Sequence, residues 1–174
     1  MRIIILGPTG TGKSTQAEFI SKMLKLKHIE AGALLRRLAK KNKLVRNFID
    51  QGRLVPKEIV VKLVKKEIKN SKNFLLDGFP RTLSQLKSID IKPDLVLFLK
   101  VDKYNLIKRL LLRKREDDSK ENIEKRYRIY LKQTLPVLNY YRKKGILIEI
   151  NGNPSIKEVS KSIKRVLAIY QQQL

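Results

Sequence analysis

Residues 3–16 read IIILGPTGTGKSTQ, a short apolar run that passes directly into a glycine-rich turn. Gly7-Pro8-Thr9-Gly10-Thr11-Gly12-Lys13-Ser14 fills the pattern G-x-x-x-x-G-K-[ST] at every position. Such a loop works only between a buried strand and the first turn of a helix. Its glycines let successive backbone N–H groups curl inward onto phosphate oxygens. Lys13 brings a positive charge to the β- and γ-phosphates of a nucleotide, and the Ser14 hydroxyl is placed for Mg²⁺. The helix expected to start at Lys13 aims its partial positive end at the same anions. Ile3 to Leu6 supply the strand, and the helical periodicity from Gln16 to Leu26 supplies the helix.

The rest of the chain repeats this alternation. Apolar runs at 2–6, 27–30, 73–77, 94–101 and 146–150 read as five strands. Between them, apolar residues recur at helical spacing. Leu34, Leu35 and Leu38 form one set. Ile59, Val60, Leu63, Val64 and Ile68 form another after Pro56, a good first-turn residue. Leu106, Ile107, Leu110 and Leu111 follow the fourth strand. Ile123 to Tyr141 reads as a long helix that Pro136 should kink. Tyr127, Tyr130, Tyr140 and Tyr141 on it read as core and rim packing. Residues 155–170 close the chain as an amphipathic helix, with Ser155 and Glu158 spaced as a capping box. Strands alternating with helices predict an α/β fold of the P-loop NTPase type: a five-stranded parallel sheet flanked by helices.

Composition narrows the chemistry. A chain of 174 residues makes one domain, 1–174, on the usual size prior. With no cysteine and one histidine, disulfides, zinc and histidine-based metal clusters are excluded. His28 reads as a structural or surface residue. No apolar stretch reaches the ~18 residues of a membrane span, and no secretory signal precedes the first strand, so no membrane role and a cytoplasmic location are expected. The net charge of +24 raises a nucleic-acid-binding alternative. The lysines are spread along the whole chain, however, and aromatic residues at 6% are too few for a base-stacking platform. Solvated helix faces account for the charge better, and the same charge attracts anionic nucleotides.

A second motif fixes the other side of the site. Leu75-Leu76-Asp77-Gly78-Phe79-Pro80-Arg81-Thr82 is an apolar strand that ends in a carboxylate. In a P-loop site that carboxylate holds Mg²⁺ through water, so Ser14 and Asp77 are the candidate metal residues. Gly78 permits close backbone approach, and Arg81 is a bidentate phosphate donor.

GPTGTGKSTQ, AGALLR (31–36), QGRLVP (51–56), LLDGFPRT and REDD with Arg126 together resemble the adenylate kinase family of nucleoside monophosphate kinases. The resemblance runs from Met1 to the C-terminal helix. It implies reversible transfer of the γ-phosphoryl group of MgATP to AMP, giving two ADP. It implies that Gly10, Thr11, Gly12, Lys13, Ser14 and Thr15 bind ATP phosphates. Arg109 would lie against the ATP adenine, and Asn153, in the stretch 151–154, near the same base. Arg36 and Arg81 would hold the AMP phosphate, and Ala31, Gly32, Leu35, Val55, Gly78 and Gln85 would surround its base. Arg113, Arg115 and Arg126 would converge with Lys13 and Arg81 on the transferring phosphoryl group, with Asp117 and Asp118 orienting the arginines. Residues 30–59 would form a small helical monophosphate-binding insert.

The acceptor in such a reaction is already an anion, so no strong general base is needed. Positioning and positive charge carry the catalysis. The chain departs from the family pattern in four places. Ser14 replaces a glycine. Ala31 replaces a threonine and points toward a UMP/CMP kinase, whereas Gln85 points toward AMP. Ala33 removes a carboxylate. Only Lys114 separates Arg113 from Arg115, where long members insert a lid, so 113–118 is a vestigial lid region and there is essentially no lid. The expected partners are ATP and AMP, the expected cofactor is Mg²⁺, and the expected state is a monomer or small homo-oligomer.

Overall fold

The computed structural model describes residues 1–113 and 119–172. Arg115, Asp117, Asp118 and all but Arg113 of the expected vestigial lid region, 113–118, therefore lie outside the described residues. Five strands form one fully parallel sheet: β1 (Arg2–Leu6), β2 (Lys27–Glu30), β3 (Phe74–Asp77), β4 (Leu95–Lys100) and β5 (Leu147–Asn151). Each lies within one residue of its predicted bounds. The order is β2-β3-β1-β4-β5. β1 is central, pairing Ile3 with Leu75 of β3 and with Leu95 of β4.

A central parallel strand is covered on both faces, which is why Ile3, Ile4, Ile5 and Leu6 are all buried. Alternate residues face opposite layers. Ile3, Ile5, Leu75, Leu97 and Leu99 pack with Ala17 and Ile20 of α1 (Lys13–Leu24) and with Val159, Ile163 and Leu167 of α9 (Ile156–Gln172). Ile4, Leu6, Leu76, Val96 and Phe98 pack against the other layer. That layer is made from α2 (Ala31–Ala39), α3 (Lys43–Asp50), α4 (Lys57–Ile68) and α8 (Leu135–Lys143). Each of these fully buried aliphatic side chains contributes about 1.5–3 kcal/mol.

The remaining helices are α5 (Leu83–Lys87), α6 (Lys103–Arg113) and α7 (Lys120–Ile129). The capping box forms as expected: the Ser155 N–H donates to Glu158 Oε2 at 3.0 Å, and Ser155 Oγ lies 2.6 Å from the same oxygen. Pro136 does not end the helical run: residues 120–143 stay helical, α7 passing through a wide π-turn at Tyr130–Thr134 into α8, whose first turn holds Pro136. A proline has no N–H to give and its ring crowds the carbonyl four residues back, so the extra residue per turn relieves both conflicts. The wide turn also sets Thr134, which is buried, with its hydroxyl donating to the Arg81 carbonyl at 3.0 Å. Of the four tyrosines, Tyr141 is buried while Tyr140 is exposed at the rim, and Tyr127 and Tyr130 lie ring to ring at 6.1 Å.

Gly7 turns the chain off β1 with φ +149°, and a Cβ there would come 2.7 Å from the Leu99 carbonyl oxygen. That atom belongs to β4 and cannot move aside. Gly7→Ala is expected to cost about 1–3 kcal/mol. Thermal unfolding should show the loss as a drop of roughly 2–4 °C per kcal/mol.

Candidate active site

Beyond the carboxyl ends of β1, β2 and β3 lies a cavity of about 550 Å³. The P-loop forms its floor. Gly10, Thr11, Gly12, Lys13, Ser14 and Thr15 all line it. Gly12 precedes α1 in the left-handed region at φ 85°, and no side chain caps the helix. The first N–H groups of α1 are thus left for a ligand at the cavity floor, which is the use a P-loop makes of them.

Lys13 is nearly buried. Its ammonium donates to the Pro8 carbonyl at 2.6 Å and lies 3.4 Å from Thr11 Oγ1. Burial, with Arg81 and Arg113 nearby, pulls its pKa down to about 8, while Asp77 and Glu30 partly oppose the shift. Ser14 Oγ donates to Asp77 Oδ2 at 2.6 Å. The two candidate metal residues, one in the first turn of α1 and one at the end of β3, are therefore already in contact. Burial of Asp77 opposes ionisation, but the neighbouring His28, Lys13 and Ser14 hold its carboxyl below the usual range.

Arg81 is pinned by its own backbone surroundings. Its Nε donates to the Gly78 carbonyl at 2.8 Å, and its N–H donates to Gln85 Oε1 at 2.7 Å. Gln85 is buried, and its oxygen is engaged by that bond, so its NH₂ is the group left to donate to a ligand. Thr82 caps α5 by accepting from the Gln85 N–H at 3.0 Å, which fixes the Gln85 side chain at the cavity wall. Ala31, Gly32, Leu35, Arg36 and Val55 line the same side of the cavity, together with Ile49 and Val60. Arg113 and Arg126 also line the cavity. The residues predicted to meet there do so, apart from Asn153 and the undescribed Arg115.

Arg109 has a role that its sequence position did not show. Its guanidinium donates to the carbonyls of Gly152 at 2.8 Å, Asn153 at 2.8 Å and Pro154 at 3.3 Å. Arg109 thus ties α6 to the loop after β5, and both line the cavity. The Asn153 side chain turns away, accepting from the Asp102 N–H at 3.1 Å and from Asn105 Nδ2 at 3.0 Å. Its contribution to the cavity wall is made by neighbouring backbone.

Four further residues stand in or beside this site. Gln16 is buried between α1 and α9, with Nε2 donating to the Ile156 carbonyl at 3.1 Å and Oε1 accepting from Ser160 at 2.9 Å. Glu30 lines the cavity and pairs with Arg36 at 2.6 Å. His28 faces Asp77, 3.8 Å from Oδ2, rather than solvent. Asn122 of α7 donates to the Asp50 carbonyl at 2.8 Å and so joins the end of α3 to the helix that carries Arg126. Among the described residues no group of three or more His, Cys, Asp or Glu side chains is placed to hold a metal. No described helix is long and apolar enough to cross a membrane.

A family model described as adenylate kinase matches residues 5–146. The chain belongs to the adenylate kinase family. An adenylate kinase of Encephalitozoon cuniculi is 38% identical over 170 residues, covering 94% of this chain and 96% of its own. One of Prochlorococcus marinus is 41% identical over 182 residues, covering 96% and 98%. One of Archaeoglobus fulgidus is 34% identical over 212 residues, covering 96% and 98%. That last alignment is longer than the whole 174-residue chain, so the Archaeoglobus adenylate kinase carries residues with no counterpart here. The fold and the enzyme class expected from the sequence are those of this family.

Proposed function

We propose that this adenylate kinase family member transfers the γ-phosphoryl group of ATP to a phosphate oxygen of AMP, giving two molecules of ADP. One observation carries the reading: a single cavity is lined both by the P-loop with Lys13 and by Arg36 with Arg81, two sets of groups suited to phosphate. The P-loop with Lys13 serves the donor, and Arg36 with Arg81 serves the acceptor. In the transfer, the acceptor oxygen forms a bond to the γ-phosphorus as the bond to the β–γ bridging oxygen breaks. The electron pair of the broken bond leaves on the donor's β-phosphate. Arg81, Arg113, Arg126 and Lys13 offset the negative charge of two phosphate chains brought together, and Arg115 joins them in this reading. Arg109 and the loop 152–154 support the ATP base.

Ser14 Oγ and Asp77 Oδ2 are hard oxygen donors already 2.6 Å apart, a set that suits Mg²⁺ carried in with ATP, partly through water. Mg²⁺ bound there would neutralise charge on the β- and γ-phosphates.

Gln85 favours AMP as acceptor. With its oxygen held by Arg81, it presents an N–H donor, which adenine N1 and cytosine N3 accept and uracil N3–H does not, so it discriminates against UMP in particular. Ala31 remains the feature that keeps UMP/CMP kinase activity as the second reading. A coupled assay with ATP against AMP, UMP, CMP, GMP and dAMP tests both readings. AMP should give the highest kcat/KM, and failure of all five would overturn the kinase function. A cytoplasmic, monomeric or small homo-oligomeric enzyme, with residues 30–59 as its acceptor insert, completes the reading.

Only Lys114 separates Arg113 from Arg115, too little sequence for the lid of long family members, and water exclusion is what suppresses hydrolysis. ADP release from ATP without acceptor, taken relative to transfer, should exceed that of the longer Archaeoglobus relative. An equal or lower ratio would mean that the cavity is closed by other means.

A further inference from the structure

Glu30 puts a negative charge where two polyphosphates are to be bound. It ends β2 and immediately precedes α2, the position at which a side chain ordinarily turns onto the helix's free N–H groups. Glu30 makes no such cap. Its Oε1 instead accepts from Arg36 Nη2 at 2.6 Å. Arg36 folds back across the first turn of α2 to meet it. A Cβ on Gly32 would come 3.0 Å from Arg36 Nη1, so the guanidinium lies against the bare glycine backbone. Glu30 is also in register with Asp77 on the neighbouring strand, which brings it to the same end of the sheet as the P-loop. Its charge reaches both Lys13 and Arg81.

A carboxylate and a phosphate ask the same thing of arginine: two oxygens against one edge of a planar fork. We propose that the Glu30 carboxylate is a built-in stand-in for the acceptor phosphate, holding Arg36 in the empty site until a nucleoside monophosphate takes the guanidinium from it. This rests on the reading of Arg36 as an acceptor-phosphate arginine. A phosphate monoester carries about −1.5 to −2 charges at pH 7 against −1 for the carboxylate, so the dianion wins the exchange. It wins with reduced net affinity, because the Glu30–Arg36 pair is broken and Glu30 is left facing the bound phosphate. Once released, Glu30 is not stranded, since Lys13 and Arg81 stand within its field. A nucleoside without a phosphate has nothing with which to displace it. Glu30 is thus a positioning residue that weakens acceptor binding and makes it conditional on the phosphate.

Steady-state kinetics of Glu30→Gln, Glu30→Ala and Arg36→Gln test this, with folding of each variant checked by thermal unfolding. Both Glu30 variants should lower KM for AMP roughly two- to fivefold and leave KM for ATP unchanged, a range set by a partly exposed ion pair. A fixed-charge structural role would move both constants or neither. An unchanged or higher KM for AMP in Glu30→Gln would overturn the stand-in, because Glu30 would then be holding Arg36 in its working pose. Arg36→Gln should raise KM for AMP at least tenfold. If Arg36→Gln has no effect, the acceptor role of Arg36 fails and the stand-in falls with it. If Arg36→Gln raises KM while Glu30→Gln changes nothing, only the stand-in fails.

Discussion

Lys13→Ala is expected to lower kcat/KM for phosphotransfer by about 10³-fold or more while leaving the fold in place. Removal of one charge-stabilising donor at a reacting centre costs about 2.7–4 kcal/mol, and each 1.36 kcal/mol is tenfold in rate. Lys13 stands at the upper end because its ammonium is buried and already aimed. In the empty site it donates to the Pro8 carbonyl at 2.6 Å. ATP replaces that neutral oxygen with phosphate oxygens.

The same burial gives the prediction a pH signature. With its pKa drawn down to about 8, Lys13 loses its proton in the free enzyme well before an ordinary lysine. kcat/KM for ATP should therefore fall above about pH 8, and ATP binding near that pH should take up a proton. Calorimetry in buffers of different ionisation enthalpy measures the uptake. The stability effect has the opposite sense. Between about pH 8 and the ordinary lysine value of 10.5 the unfolded chain binds more protons than the folded one. Lys13's destabilising contribution is fully present below about pH 8 and is relieved as pH rises through that window. Lys13→Met should be as stable as the parent at pH 7 or more so. Lys13→Ala should bind DNA nonspecifically as the parent does. A parallel loss of DNA binding and phosphotransfer would favour the nucleic-acid reading of the +24 charge.

What could be read in advance was whatever the chain encodes locally. The strand ends fell within a residue, for β1, β3 and β4 because each is dominated by Ile, Leu, Val or Phe and bounded by a break in pattern. The P-loop and DGFPRT were legible because their spacing is itself the geometry, with no partner element required. What escaped depends on pairing between distant segments. Glu30 becomes a site residue only because β2 pairs with β3 in a register that sets it beside Asp77. Gln16 meets Ser160 across 144 positions of sequence, and Asn122 meets Asp50 across 72. His28 reads from sequence as a structural or surface residue, and nothing in its neighbourhood of sequence names Asp77 as its neighbour in space. Pro136 announces a distortion of its helix, but the form of that distortion, a wide turn that delivers Thr134 to Arg81, depends on the packing of the turn.

Arg81 gives the second large effect, and its two variants separate charge from shape. Every polar group of this residue's backbone has a specific partner. Its N–H is held by Gln85 at 2.7 Å and its carbonyl by Thr134 at 3.0 Å. Its Nε donates to the Gly78 carbonyl at 2.8 Å, and its Nη2 would lie 2.9 Å from a Cβ at Gly78. The guanidinium is thus laid over a glycine chosen for its bare face, beside Asp77 and near Arg36 and Arg126, with burial chiefly responsible for drawing its pKa down. Such anchoring leaves the fork in place before any substrate arrives, and preorganised charge is what the transfer of a phosphoryl group between two anions demands. Arg81→Ala should lower kcat by about 10³- to 10⁵-fold, the range of a phosphoryl-transfer arginine. Arg81→Lys keeps the charge but loses the planar fork and the bond to Gly78, so a loss of about 10²-fold is expected. Thr134→Val, which frees only the Arg81 carbonyl, should cost a few-fold in kcat, in keeping with one lost neutral hydrogen bond of about 1 kcal/mol. The three rates, measured at saturating ATP and AMP, rank shape against charge. If Arg81→Lys retained activity within tenfold of the parent, a point charge would suffice and the bidentate role would be overturned.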